Sequence, residues 1–171
     1  MVQQIKRIAK FALFGTIGFG IGGAIRLIGF GVVELLIMGA IGGAALGLAL
    51  KRGWGKVTIL ALLGAIGFSV GTVIAVFSML DAPDNSLTDF ITGAVAGAIG
   101  GLALGLALWD WRKFIGLTLA GALGFVIGAL FLVIFGIYYE HVAWFAGPGI
   151  VGFTFLGAAL GFLEKGKAET V

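Results

Sequence analysis

Arg26 and Glu34 stand four residues to either side of Phe30, inside an apolar stretch that runs from Phe11 to Leu50. If that stretch folds back near Phe30, the two side chains reach the same depth of an antiparallel hairpin and can form an ion pair near a membrane interface. The expected role of such a pair is to pin the hairpin; the functional alternative is contact with an anion or substrate at a vestibule. The other charged candidates lie between apolar segments. Asp81, Asp84, Asn85, Ser86, Thr88 and Asp89 supply enough oxygen atoms to suggest calcium. The segment nevertheless lacks the central glycine and terminal bidentate glutamate of a calcium loop. Ser86 and Asp89 instead fit a capping box that opens a helix, with Pro83 and Asn85 suited to the turn before it. His141 is the single histidine, beside Tyr138, Tyr139 and Glu140. One imidazole with no cysteine cannot build a zinc site. A histidine in a solvated turn is the expectation, and axial ligation of a haem or pigment, or a response to acidic pH, is the functional alternative.

Elsewhere the chemistry is sparse. The middles of the apolar segments hold hydroxyls only, at Thr16, Ser69, Thr72, Thr118 and Thr154. A hydroxyl in a helix can bond the carbonyl of the preceding turn and needs no solute. Proton or sodium relays usually require ionisable groups at membrane depth, so this pattern counts against them. The chain has no cysteine, no nucleophile set beside a base and no phosphate-binding loop, so no enzyme, cofactor or metal is expected.

These residues are carried by elements that composition assigns to a bilayer. Apolar residues make up 60% of the chain and charged residues 11%, against roughly a quarter charged in water-soluble domains. The mean hydropathy is +1.17. A water-soluble fold is excluded, and nucleic acid is not an expected partner because the basic residues flank apolar spans. Charged and turn residues divide the sequence into six segments, about Ile8 to Ile28, Phe30 to Leu50, Val57 to Leu80, Phe90 to Leu108, Phe114 to Tyr139 and Val142 to Leu163. The first division must fall near Phe30, because forty residues in one helix would span about 60 Å, twice the bilayer core. The opening Lys6, Arg7 and Lys10 imitate a secretory signal, but the apolar run is too long and belongs to a repeat, so it reads as a membrane helix. The expectation is an all-α integral membrane protein with a single membrane domain.

Basic residues sit at one end of every segment pair: Lys6, Arg7 and Lys10; Lys51, Arg52 and Lys56; Arg112 and Lys113; Lys165 and Lys167. Lysine and arginine are retained on the cytoplasmic side during insertion, which places both termini there. Trp54, Trp109 and Trp111 fall at the same boundary and Trp144 at the opposite one, where an indole ring is half in lipid and half in water.

The sequence also repeats itself. Gly39 to Leu50 reads GAIGGAALGLAL, Gly97 to Leu108 reads GAIGGLALGLAL, and Gly157 to Leu163 reads GAALGFL. Between these stand Gly15, Gly18, Phe19 and Gly22; Gly64, Gly67, Phe68 and Gly71; and Gly121, Gly124, Phe125 and Gly128. The alternation predicts three tandem helical hairpins, about 8–50, 57–108 and 114–163, related by a pseudo-threefold axis along the membrane normal. Residues three and four apart share a helix face, so Gly43 with Gly47, Gly101 with Gly105, and Gly157 with Gly161 make strips on which another backbone can lie. The odd-segment glycines are expected to make longer strips of the same kind. In lipid such close contact is what holds helices together.

The function expected from these features is that of a non-enzymatic structural or accessory protein of a prokaryotic inner or internal membrane. Its partners are the lipid bilayer and either other membrane subunits or further copies of itself. The alternatives are a small channel or transporter with a pathway between the hairpins, and a binder of lipid or an apolar pigment in glycine-lined grooves.

Overall fold

The computed structural model describes residues 2–25, 32–51, 53–78, 86–134 and 141–164. They form α1 (Val2–Ile25), α2 (Val32–Ala49), α3 (Trp54–Ser78), α4 (Ser86–Ala107), α5 (Trp111–Ile134) and α6 (His141–Leu163). Three of these helices are long and apolar enough to cross a membrane, through Trp54–Ala75, Phe90–Ala107 and Trp111–Phe131. The apolar parts of α2 and α6, Val33–Ala49 and Gly149–Leu163, are shorter. In α1 the helix begins at Val2, so Lys6, Arg7 and Lys10 lie within its first turns rather than before it, and the uncharged part begins at Phe11.

The helices end where the backbone finds local partners. After α2, Leu50 N–H donates to Leu46 O at 3.1 Å and Lys51 N–H to Leu48 O at 3.0 Å. After α4, Leu108 N–H donates to Gly105 O and Trp109 N–H to Leu106 O, both at 3.1 Å. Lys51 and Trp109 adopt left-handed backbone angles, with φ of 51° and 50°, which turns the chain sharply into the next helix. Helix α3 then opens with Lys56 N–H on Gly53 O at 2.9 Å. Helix α5 is capped by Asp110, whose carboxylate accepts Arg112 N–H at 3.0 Å.

Each helix packs on its neighbours in the chain, and α6 packs on α1, so the six close into a ring. One continuous apolar core fills it, including Phe11, Leu46, Leu60, Leu104, Leu117, Phe153, Leu156 and Leu160. The outside is apolar as well. Leu13, Ile17 and Ile21 of α1, Leu62, Ile66, Val70 and Ile74 of α3, and Leu119 and Leu123 of α5 are exposed at four-residue spacing. A helix apolar on every face belongs inside a larger core or in a membrane.

Candidate functional site

The contacts that define this molecule are the places where glycine lets backbones touch. On α2, a side-chain carbon at Gly39 would overlap the carbonyl of Gly64, and one at Gly43 the carbonyl of Leu60; at Gly47 it would stand 2.8 Å from Val57 Cα. On α4 the same holds for Gly97 against Gly121 and Gly101 against Leu117, while at Gly105 the distance to Phe114 Cα would be 2.5 Å. On α6, such a carbon at Gly157 would overlap the Phe11 carbonyl, and at Gly161 it would stand 2.8 Å from Ile8 Cα; Gly15 of α1 meets the Phe153 carbonyl in return. These glycines of each even helix therefore pack on the odd helix that follows around the ring, whereas Gly100 and Gly152 meet Phe68 and Phe125 of the odd helix that precedes theirs.

The odd-helix glycines do not form one strip. Gly15, Gly64 and Gly121 face the seams just described, whereas Gly18 faces Ala45 of α2, Gly67 and Gly71 face α4, and Gly124 faces Gly152 and Phe155 of α6. Steps of three and four wander around the helix enough to serve two neighbours. Gly128 is buried on α5, and Gly22 belongs to the backbone of α1.

Inside the ring, three aromatic rings from α3, α5 and α6 converge. Phe68 and Phe153 have centroids 4.5 Å apart, Phe68 and Phe125 5.6 Å, and Phe125 and Phe153 6.3 Å. These helices are not all neighbours in the ring, so the rings meet across its interior. The hydroxyls behave as helix hydroxyls do: Thr118 donates to Phe114 O at 2.8 Å and Thr92 to Thr88 O at 2.8 Å. Thr16 and Thr154 go further, with their oxygens 2.7 Å apart across the α1–α6 seam. Each also lies within bonding distance of the carbonyl four residues back. The Ser69 hydroxyl is buried without a hydrogen-bond partner among the described residues.

One end of the ring is basic and tied together by side chains. Lys10 Nζ donates to Ala49 O at the end of α2, 2.8 Å away, and lies 5.7 Å from the centroids of Phe11 and Phe14. Arg7 Nη1 donates to Glu164 O at 2.5 Å, and Lys113 Nζ pairs with the Glu164 carboxylate while standing 3.9 Å from Asp110. Cations at helix C-termini satisfy carbonyls that no further turn can reach. Trp54, Trp109 and Trp111 are exposed around this end, and Trp111 stacks on Phe114 with centroids 5.0 Å apart.

Of the charged candidates, Glu34 is buried in the first turn of α2. Its expected partner Arg26 lies outside the described residues, as do residues 81–85 and the connection before His141. His141 and Trp144 belong to α6 as backbone. Among the described residues no group of three or more His, Asp or Glu side chains is placed to hold a metal ion. The Glu164 pairings and the threonine pair escape sequence reading because each joins residues more than fifty positions apart. Only the seam register shows them: Thr16 follows Gly15, and Thr154 follows the Phe153 that Gly15 touches. No protein-family model, curated protein or solved structure matches this chain.

Proposed function

We propose that the chain is a membrane-embedded structural subunit, a six-helix ring of three glycine-packed hairpins whose outer surface meets lipid and the subunits of a larger membrane assembly. The observation that carries this is the recurrence of one seam. Gly39, Gly43 and Gly47 on Gly64, Leu60 and Val57 correspond in register to Gly97, Gly101 and Gly105 on Gly121, Leu117 and Phe114, and Gly157 and Gly161 repeat the pattern on Phe11 and Ile8. Equivalent leucines, Leu46, Leu104 and Leu160, are each buried to within 1% of full enclosure. These correspondences support a pseudo-threefold relation about an axis along the membrane normal. The seams join each hairpin to the next, which ties the three repeats into one rigid body.

A packed interior favours a structural role over a conduit. Phe68, Phe125 and Phe153 fill the middle of the ring, and the leucine layer lies in the same apolar core. The basic end, with Arg7, Lys10, Lys51, Lys56, Arg112 and Lys113, faces the cytoplasm by the retention of lysine and arginine there, and both ends of the chain lie on that side. The exposed tryptophans around it sit at headgroup level.

The test is mild extraction from the native membrane, then native electrophoresis and mass spectrometry of what migrates with the protein. Stoichiometric co-migration with other membrane subunits is the expected result. Migration as a lone chain or small homo-oligomer contradicts the accessory role and makes flux through liposomes containing the isolated protein the next measurement.

A further inference from the structure

The cations at the basic end are unevenly matched by acceptors. On the α5–α6 side, Glu164 takes Lys113 with its carboxylate and Arg7 with its carbonyl, and Asp110 stands 3.9 Å from Lys113. On the α1–α2 side, Lys6, Lys10 and Lys51 have no carboxylate partner among the described residues. Lys6 and Lys10 are four residues apart and share a face of α1. Lys10 Nζ reaches the Ala49 carbonyl where α2 ends, and Lys51, two residues further on, sets a second positive charge against it. An ammonium has three N–H donors, and among the described residues only Ala49 O accepts one from Lys10. The rings of Phe11 and Phe14, each with its centroid 5.7 Å away, keep that ammonium partly out of water.

We propose that Lys6, Lys10 and Lys51 bind the phosphate of an anionic phospholipid, with the Trp54 indole beside it at headgroup level. The proposal rests on the membrane reading above, which puts this end at the cytoplasmic surface. Clustered lysines at that surface gain from every anionic headgroup they meet. A lipid fits better than a soluble anion because apolar surface adjoins the charges: exposed Leu13 and Leu48 lie within one turn of Lys10 and Lys51 and offer a bed to acyl chains. Trp54 is 79% exposed and opens α3 just beyond Lys51, where an indole anchors among headgroups. The α4–α5 turn resembles this one in its left-handed residue and exposed tryptophans. It carries Asp110, however, whose carboxylate repels a phosphate, so the site belongs to the α2–α3 turn.

The test uses the full chain in vesicles of equal parts phosphatidylcholine and phosphatidylglycerol. Co-flotation with the vesicles reads insertion, and native mass spectrometry after mild extraction reads the ratio of the two lipids retained. The parent is expected to float and to retain phosphatidylglycerol preferentially. Lys51→Gln is expected to lower that preference about fivefold, the worth of one lysine at an anionic surface, and Lys6→Gln to lower it further in the same background. Lys51→Arg, which keeps the charge, and Arg112→Gln, which removes one at the other turn, are each expected to stay within about twofold of the parent. A parent that inserts without headgroup preference, or an equal loss from Lys51→Gln and Arg112→Gln, would overturn the lipid site and leave the membrane reading standing. Displacement of the lipid by excess inorganic phosphate at constant ionic strength would assign the site to a soluble anion instead and overturn it as well. A parent that does not float with the vesicles would overturn the membrane reading and the site together.

Discussion

At Gly43 the difference between a hydrogen atom and a methyl group decides how close α2 and α3 can come. A Cβ there would overlap the Leu60 carbonyl, and a backbone cannot give way as a side-chain tip can. Gly43→Ala is expected to destabilise the protein by about 1–3 kcal/mol, the usual cost of overpacking, measured by unfolding in detergent. Gly20 is the control, because a Cβ placed there on α1 would have nothing within 4 Å. Gly20→Ala is expected to stabilise by about 0.5–1 kcal/mol, through the reduced freedom of the unfolded chain. Equal effects at the two sites would deny that the seam depends on glycine. Ser69 makes the opposite case, a buried hydroxyl whose oxygen has no partner among the described residues. Ser69→Ala removes a desolvated group and leaves the packing, so a gain of about 1 kcal/mol is expected in the same unfolding measurement. Spacing alone marks Gly43 with Gly47 as a strip. It does not reveal that Gly64 and Gly67 serve different neighbours, since that depends on where α2 and α4 stand around α3.

For the helices, apolar content locates each segment but sets several of the starts late. Val57 and Phe114 open the apolar segments, whereas α3 and α5 begin at Trp54 and Trp111, one turn earlier. Hydropathy marks the part of a helix that suits lipid, whereas the helix itself continues to its cap, at Asp110 for α5. The same reason puts Lys6, Arg7 and Lys10 inside α1. The tight turns are invisible in the sequence as well, because Lys51 and Trp109 are poor guides to a left-handed conformation that usually takes glycine. At Lys51 that geometry costs the side chain about 1 kcal/mol. Lys51→Gly is therefore expected to raise stability by roughly that amount, read as a later unfolding midpoint. An unchanged or lowered midpoint would mean that Lys51 has compensating contacts at the basic end.

For the whole molecule, the sequence repeat points to three related hairpins about a common axis, an arrangement in which α6 would stand beside α1, but it does not reveal the meeting of Phe68, Phe125 and Phe153. That depends on which side chains of each helix turn toward the common centre, and no local pattern encodes it. Phe153 is fully enclosed where the rings meet. Phe153→Ala is expected to cost about 3–5 kcal/mol, because three helices are already locked at their glycine seams and cannot collapse into the space. Unfolding at an unchanged midpoint would mean that the aromatic cluster does not hold the centre of the ring. If glycine-packed hairpins thread this chain through a membrane, as proposed, every basic turn lies on one side. Single cysteines in the otherwise cysteine-free chain test this most directly, at Gly53, Asp110, Asn85 and Tyr139, labelled in sealed vesicles by a membrane-impermeant maleimide. Gly53→Cys and Asp110→Cys are expected to react from the cytoplasmic face only, and Asn85→Cys and Tyr139→Cys from the opposite face only. Reaction of all four from the same face would contradict the hairpin arrangement and the membrane ring built on it.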